Sequence, residues 1–421
     1  MAMDARVGFP HPQPTMPFRP RIFLALVATL TWLSPAFAEV HLPPGFSVEA
    51  VAGPEIVSEP MDLTFAPDGS AWVTGRAGDL WRIDTAAHTS HRVGRVATDV
   101  SGDRGMHGVA LHPDFPRTPQ VFLSYHATQH SPSQYRARIA RFSVVGEGAA
   151  SALDSASETT LIEWVGDPAG QHVGGALLAH PVERLLYVST GENNQNSRIK
   201  QYCDDPENKA QSLRDLRGKV LRIGFDGSIP TNNPFAHVPD AQAAIFTRGH
   251  RQPWSLDYDA LTGLILEAEN GGDLTDDYDE VNSIVGGANF GWPRVYGDGW
   301  STTSRTNRID GFVSPWFSYK RNTGASCTGA VIYRPSTAGP GFPAKYHGAF
   351  FYCDFARKTI RSASVDATTG KPGESEPFLQ GGSAGPLALR LGPDGALYFI
   401  THGGAPAAST NDGIARIVWK P

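Results

Sequence analysis

Six times along the chain, a short run of alternating apolar and polar residues meets a turn rich in Pro, Asp and Gly, and a second apolar run follows. The unit occurs at Leu63–Thr74, at Val109–Phe115 with Val121–Tyr125, and at Ala176–Pro181 with Leu185–Thr190. It returns at Leu256–Asp259 with Gly263–Glu267, in a looser form at Ala330–Tyr333 with Ala349–Tyr352, and at Leu389–Ile400. Alternation with period two predicts strands, and the turn residues preset the chain reversal, so each unit predicts a β-hairpin. A single hairpin cannot bury both faces. Copies recurring every ~40–80 residues imply sheets stacked around an axis. The expected fold is all-β, a six-bladed β-propeller. Its ring closes if Ser47–Val51 and Ile414–Trp419 share the last blade. A β-sandwich is the alternative, but two sheets have no need of six similar turns. No linker-like stretch divides residues 39–421, which are read as one domain.

Composition narrows the class. The 421 residues include 45 Gly and 33 Pro, too many for a helical bundle, and 40% are apolar, enough for a large core. The net charge of −6 argues against a nucleic-acid groove or a polybasic membrane patch. At the N-terminus, Arg19 and Arg21 precede the apolar run Ile22–Leu33, which leads to small residues ending at Ala38. These are the parts of a secretory signal peptide over residues 1–38, cut after Ala38. The run is shorter than the ~20 residues that span a bilayer, so no stable membrane insertion is expected. The expected location is periplasmic or secreted. There a cysteine pair can oxidise, and Cys327 and Cys353, both in the fifth repeat, are the candidates, with Cys203 left over or bridged in their place.

In a propeller, the segments just before each repeat gather at the mouth of the channel. Four of them combine glycines with charged or imidazole groups: Asp103–Gly108, Gln171–Gly175, Arg248–Trp254 and Glu269–Asp273. His172, flanked by glycines, suits a general base. A purely structural bond to a neighbouring blade is its competing role. Arg251 suits a carbonyl or carboxylate, or else a salt bridge between blades. The acidic stretch Asp273, Asp276, Asp277, Asp279 and Glu280 offers hard oxygen ligands, without the EF-hand spacing. No HExxH helix, nucleophile elbow, Walker loop or dinucleotide fingerprint is present.

Seven segments, in order, resemble the glucose/sorbosone dehydrogenase family: Gly105–Phe115, Gln171–Gly175, Leu216–Ile223, Asn232–Phe235, Gly249–Trp254, Asp279–Asn282 and Gly287–Pro293. The resemblance implies a six-bladed propeller that holds pyrroloquinoline quinone (PQQ) and calcium at its mouth and oxidises an aldose or a sugar aldehyde such as sorbosone. By position, His172 resembles the base and Arg251 the residue that stabilises charge on the quinone oxygen. Gln252 stands where the family usually has Asn. Gly271 and Gly272 match the carbonyls that hold calcium, and Asp279 and Glu280 a second, structural calcium site. Asp103, Arg104, Gln171, Trp254 and Arg357 complete the candidate cofactor shell. The sequence departs from the pattern at Trp254 and in the loop Gly191–Asn194. It departs again at Gly385 and Leu387, where one branch has an arginine pair for the quinone carboxylates, and near Ala356, where a lysine is expected.

The reading is a PQQ-dependent sugar dehydrogenase with a small-molecule sugar substrate and an electron acceptor that the resemblance does not specify. Two other readings compete with it. One is a non-catalytic, calcium-stabilised propeller that binds a glycan or a protein. The other is a channel metal site built from His107, His172, His250 and His402.

Overall fold

The six hairpins open six antiparallel sheets. The computed structural model describes residues 40–421, apart from 132–133, 169, 194–208, 273–276, 296, 298–308, 310, 322–325, 337–340 and 404–411. The expected signal segment and Cys203 therefore lie outside the described residues, as do Asp273 and Asp276. Blade 1 is Pro60–Phe65, Ala71–Gly75, Asp79–Asp84 and Thr89–Arg95; blade 2 is Met106–Leu111, Gln120–Ser131, Gln134–Val145 and Ala152–Gly166. Blade 3 is Gly174–Ala179, Leu185–Thr190, Lys219–Gly224 and Ile245–Arg248; blade 4 is Gln252–Asp259, Leu264–Asn270, Tyr278–Ser283 and Phe317–Lys320. Blade 5 is Cys327–Ile332, Phe350–Asp354, Thr359–Ala363 and Glu376–Gly381; blade 6 is Gly385–Leu391, Leu397–His402, Gly413–Trp419 and Phe46–Ala52.

The first strand of each blade packs against the first strands of both neighbours, all the way round, so the ring is closed. The fold is the six-bladed β-propeller. Polarity follows position in the blade. The inner strands Met106–Leu111 and Cys327–Ile332 are buried throughout, whereas the outer strand Thr89–Arg95 buries little beyond Val93. Between blades 1 and 2, Trp72, Leu80 and Val93 pack on Met106, Val121 and Leu123. Each such side chain contributes ~1.5–3 kcal/mol by leaving water.

The last blade is closed by chain segments far apart in sequence. Phe46–Ala52 pairs antiparallel with Gly413–Trp419, with Val48 opposite Ile417, as the end patterns predict. Val40–His41 adds a fifth strand to blade 5 against Gln380 and Gly381; two residues are too few to leave a periodic signal. The expected disulfide in blade 5 does not form. Cys327 and Cys353 are both buried thiols, because a bulge sets Cys327 opposite Asp354 and Cys353 opposite Gly329. Among the described residues, no helix is long and apolar enough to cross a membrane.

Candidate active site

The starts of the inner strands surround a cavity of about 350 Å³, lined among others by Met61, Asp103, Trp254, Asn270, Thr328 and Leu387. This is the mouth to which the pre-repeat segments lead. The opposite ends of the same strands line a second opening, where Phe65, Leu111, Ala179, Asp259 and Leu391 stand.

His172 sits at the first mouth in a left-handed backbone conformation, with φ of 58°. That conformation costs a non-glycine residue on the order of 1–3 kcal/mol, and it is held from both sides. The His172 N–H donates to Asp103 Oδ2 at 3.1 Å, and the Asn193 N–H donates to the His172 carbonyl at 3.1 Å. Gly191 is required here, because a Cβ on it would lie 1.8 Å from the His172 oxygen. The imidazole Nδ1 bonds Glu192 Oε1 at 2.6 Å, and the Glu192 side chain is wholly buried. A carboxylate only accepts, so Nδ1 carries the hydrogen and Nε2 keeps a lone pair able to take a proton.

Glu192 also reaches the second candidate. Its Oε2 accepts the Trp292 indole N–H at 3.2 Å, and its backbone N–H donates to the Arg251 carbonyl at 2.8 Å. The Arg251 guanidinium lies over the Trp292 ring at 5.4 Å, a cation–π contact in a buried setting. The Arg251 backbone N–H donates to Glu269 Oε1, and its Nη1 faces the Asn270 carbonyl at 3.5 Å. The predicted imidazole thus bonds one buried carboxylate, and the predicted guanidinium lies over the indole that bonds the same carboxylate. They border the cavity through Asp103 and Asn270, which line it. Glu192 is the site residue that sequence reasoning passed over: the loop Gly191–Asn194 reads as a departure from the family pattern, yet its acid is the one in contact with the base.

Of the remaining candidates, Trp254 lines the cavity and its ring lies 5.8 Å from that of His107. Gln252 is buried and its Oε1 has no hydrogen-bond partner. Gln171 is exposed. Arg104 is turned to other work: Nε bonds Asp99 at 2.7 Å, Nη1 bonds the Pro168 carbonyl at 2.7 Å, and the guanidinium stacks over Tyr135. Arg357 is exposed, with its backbone N–H on Asp354 Oδ1 at 3.0 Å, and Lys358 Nζ bonds the Ser383 carbonyl. Leu387 and Phe355 form an uncharged wall of the cavity.

Gly271 and Gly272 follow the strand Leu264–Asn270 and pass close to the start of the next strand. A Cβ would lie 1.5 Å from the Tyr278 carbonyl at the first, so only glycine fits there, and 2.2 Å from Asp277 Oδ2 at the second, where that side chain would have to move. The Gly271 N–H donates to Asp279 Oδ1 at 2.9 Å, while buried Asp279 Oδ2 has no partner. Burial, partly offset by Arg321, pushes the Asp279 carboxyl up to about 6. The structure does not bring Asp279 and Glu280 together. As neighbours on a strand they face opposite ways: Asp279 meets Gly271 and Arg321, Glu280 the Gly297 N–H and Asn282.

Nor do the four histidines share a centre. His107 Nε2 bonds the Asp103 carbonyl at 3.0 Å, His172 is on Glu192, and His250 bonds Glu269 and Thr247. Burial alone would draw the His250 imidazole down, but the Glu269 and Glu267 carboxylates outweigh it and push it to about 9. Burial, reinforced by the Glu269 charge, pushes Glu267 up to about 7.

The fold is a six-bladed β-propeller whose mouth sets a carboxylate-held imidazole near a buried guanidinium. The chain belongs to the glucose/sorbosone dehydrogenase family, whose family model matches residues 57–408. It is 28% identical over 297 residues to quinoprotein glucose dehydrogenase B of Acinetobacter calcoaceticus, covering 66% of this chain and 60% of that protein. It is 27% identical over 373 residues to aldose sugar dehydrogenase YliI of Escherichia coli K12, covering 85% of this chain and 91% of the relative. Its fold matches the PQQ-bound aldose sugar dehydrogenase of Streptomyces coelicolor with a TM-score of 0.66 at 22% identity, over 90% of this chain and 99% of that one.

Proposed function

We propose that this protein is a PQQ-dependent oxidoreductase that oxidises an aldose sugar or a sugar aldehyde such as sorbosone. The observation that carries the reading is the His172–Glu192 pair beside the mouth cavity, with Arg251 bound to the same carboxylate through Trp292. The residues fit a flat, polar cofactor: buried Gln252 Oε1 and Asp279 Oδ2 both have bonding capacity left over, and Gly271 and Gly272 would hold calcium through their carbonyls. When bound, PQQ would supply the acceptor for the hydride, which carries both electrons that the sugar carbon loses. His172 Nε2 takes the proton of the sugar hydroxyl. Glu192 fixes the ring by Nδ1 and stabilises the imidazolium as it forms. Arg251, held rigid by Trp292 and Glu269, sets a positive charge where negative charge gathers on the cofactor side.

Export through the 1–38 signal segment and a periplasmic or secreted location belong to the same reading. The uncharged wall at Leu387 and Phe355 favours a second one, a propeller that binds a glycan without oxidising it. One experiment separates the two. Purified protein is titrated with PQQ and calcium while the quinone absorption is followed, and dye reduction is then measured with aldoses and sorbosone. Saturable uptake with dye reduction is expected. No uptake, with sugar binding intact, supports the glycan binder instead.

A further inference from the structure

The second opening, at the far ends of the inner strands, holds a cavity of about 660 Å³, larger than the one at the mouth. Phe65, Leu178, Tyr258 and Leu391 line it from blades 1, 3, 4 and 6. All four are only half-buried, so each keeps apolar surface that a guest could cover. Asp257, Asp259, Arg334 and Arg390 line the same cavity, which brings charge into an otherwise apolar wall.

These charges do not balance. Arg390 is committed to Asp62, Nη2 to Oδ1 at 2.8 Å, and Arg334 to Asp259, Nε to Oδ1 at 2.7 Å. Asp257 is a third carboxylate. It bonds the Tyr258 backbone N–H, and among the described residues no Lys, Arg or His side chain bonds it. Three acids against two guanidiniums leave one negative charge over. Burial, opposed by Arg390 and reinforced by the Asp259 and Asp62 charges, pushes the Asp257 carboxyl up to about 6. A carboxylate raised in this way is short of positive charge. A roomy cavity with apolar walls and an unmatched ionisable group is the usual form of a small-molecule site.

We propose that the opening opposite the mouth is a second binding site, which takes a small organic ammonium ion. Its protonated amine pairs with Asp257, and its apolar body packs on Phe65, Leu178, Tyr258 and Leu391. An ammonium group brings the missing charge and N–H donors to a carboxylate that only accepts. A divalent metal ion suits the place less well, because it needs several oxygen ligands and Asp257 offers two at most, with Arg390 alongside. An anion would find both guanidiniums already bound to acids. The site lies at the other end of the inner strands from His172 and stands without any assumption about quinone or sugar.

The test is calorimetric titration of the full chain at pH 7.5 with 4-bromobenzylamine and, separately, with 4-bromobenzyl alcohol, which has the same shape without the charge. The amine is expected to bind with a Kd below about 1 mM, at least about 10-fold more tightly than the alcohol. Asp257→Asn keeps the shape of the side chain and removes its charge. It should abolish the preference for the amine and leave binding of the alcohol as it is in the native chain. If that variant does not fold, anomalous scattering from bromine in crystals of the native chain with the amine decides, with bromine in the second opening expected. A native chain that binds the amine no better than the alcohol overturns the proposal. So does an Asp257→Asn chain that keeps the preference, or bromine bound at the mouth or elsewhere but not in the second opening.

Discussion

Glu192 holds His172 by Nδ1 at 2.6 Å, and the same carboxylate ties Trp292, over whose ring the Arg251 guanidinium lies. Loops far apart in the sequence thus converge on one buried acid. A base oriented in this way loses more than charge when the acid is altered.

Glu192→Gln keeps the shape of the side chain and removes the negative charge. It should lower dye-linked turnover by ~10²-fold and move the apparent pKa of the base downward, because the imidazolium loses its counter-charge. His172→Ala should cost at least as much, and the double variant little more than His172→Ala alone. A Glu192→Gln protein with a native pH–rate profile would remove Glu192 from the mechanism.

Arg251→Lys retains a positive charge but neither the planar face that lies over Trp292 nor the fork of donors. Turnover should fall at least about 10-fold with folding intact, read from the unfolding midpoint. Equal turnover by the lysine variant would show that only charge at this position matters.

His107 and His126 lie edge to face with ring centres 5.6 Å apart, both buried. Burial draws His107 down to about 4 despite the Asp103 carbonyl and carboxylate, with Arg76 adding to the fall; burial and the charge of His107 draw His126 down to about 3. Unfolded histidine titrates near ~6.5, so below that pH the unfolded chain binds protons that the folded chain refuses. Their contribution is intact above ~6.5 and is lost as pH falls toward 4, at up to about 1.4 kcal/mol per pH unit for each histidine. Urea unfolding at pH 7.5 and pH 5.0 should show the loss. His126→Asn should remove its own share of that slope, up to about 1.4 kcal/mol per pH unit, whatever its effect on absolute stability.

Ile417, wholly buried, pairs with Val48 across the seam that closes blade 6. Ile417→Ala should destabilise the protein by roughly 2–5 kcal/mol. Lys420→Ala should change stability by less than about 1 kcal/mol, since its bond to Glu49 is an exposed ion pair. Similar losses from the two would show that the seam is not part of the cooperative core.

The six hairpins and the seam were legible because turn chemistry and period-two alternation are local and repeat six times. His172 and Arg251 stood out because glycines flank chemically active residues at the starts of inner strands. Glu192 was hidden, since whether an acid touches a histidine 20 residues away depends on how a loop folds back, and no spacing rule encodes that. Asp279 and Glu280 were read as one ligand pair although strand alternation itself sends them to opposite faces. The same alternation, applied to Glu267 and Glu269, would have revealed two acids on one side of a buried strand.

The seam has a consequence for how the molecule is made. Residues 46–52 leave the ribosome well before 413–419, yet they form neighbouring strands. Until 413–419 are made, the apolar flanks that blade 6 turns to blades 1 and 5 lack their cover, so a product stopped before them is an open arc with sticky ends. Closure of the wheel thereby checks that this late strand has been translated.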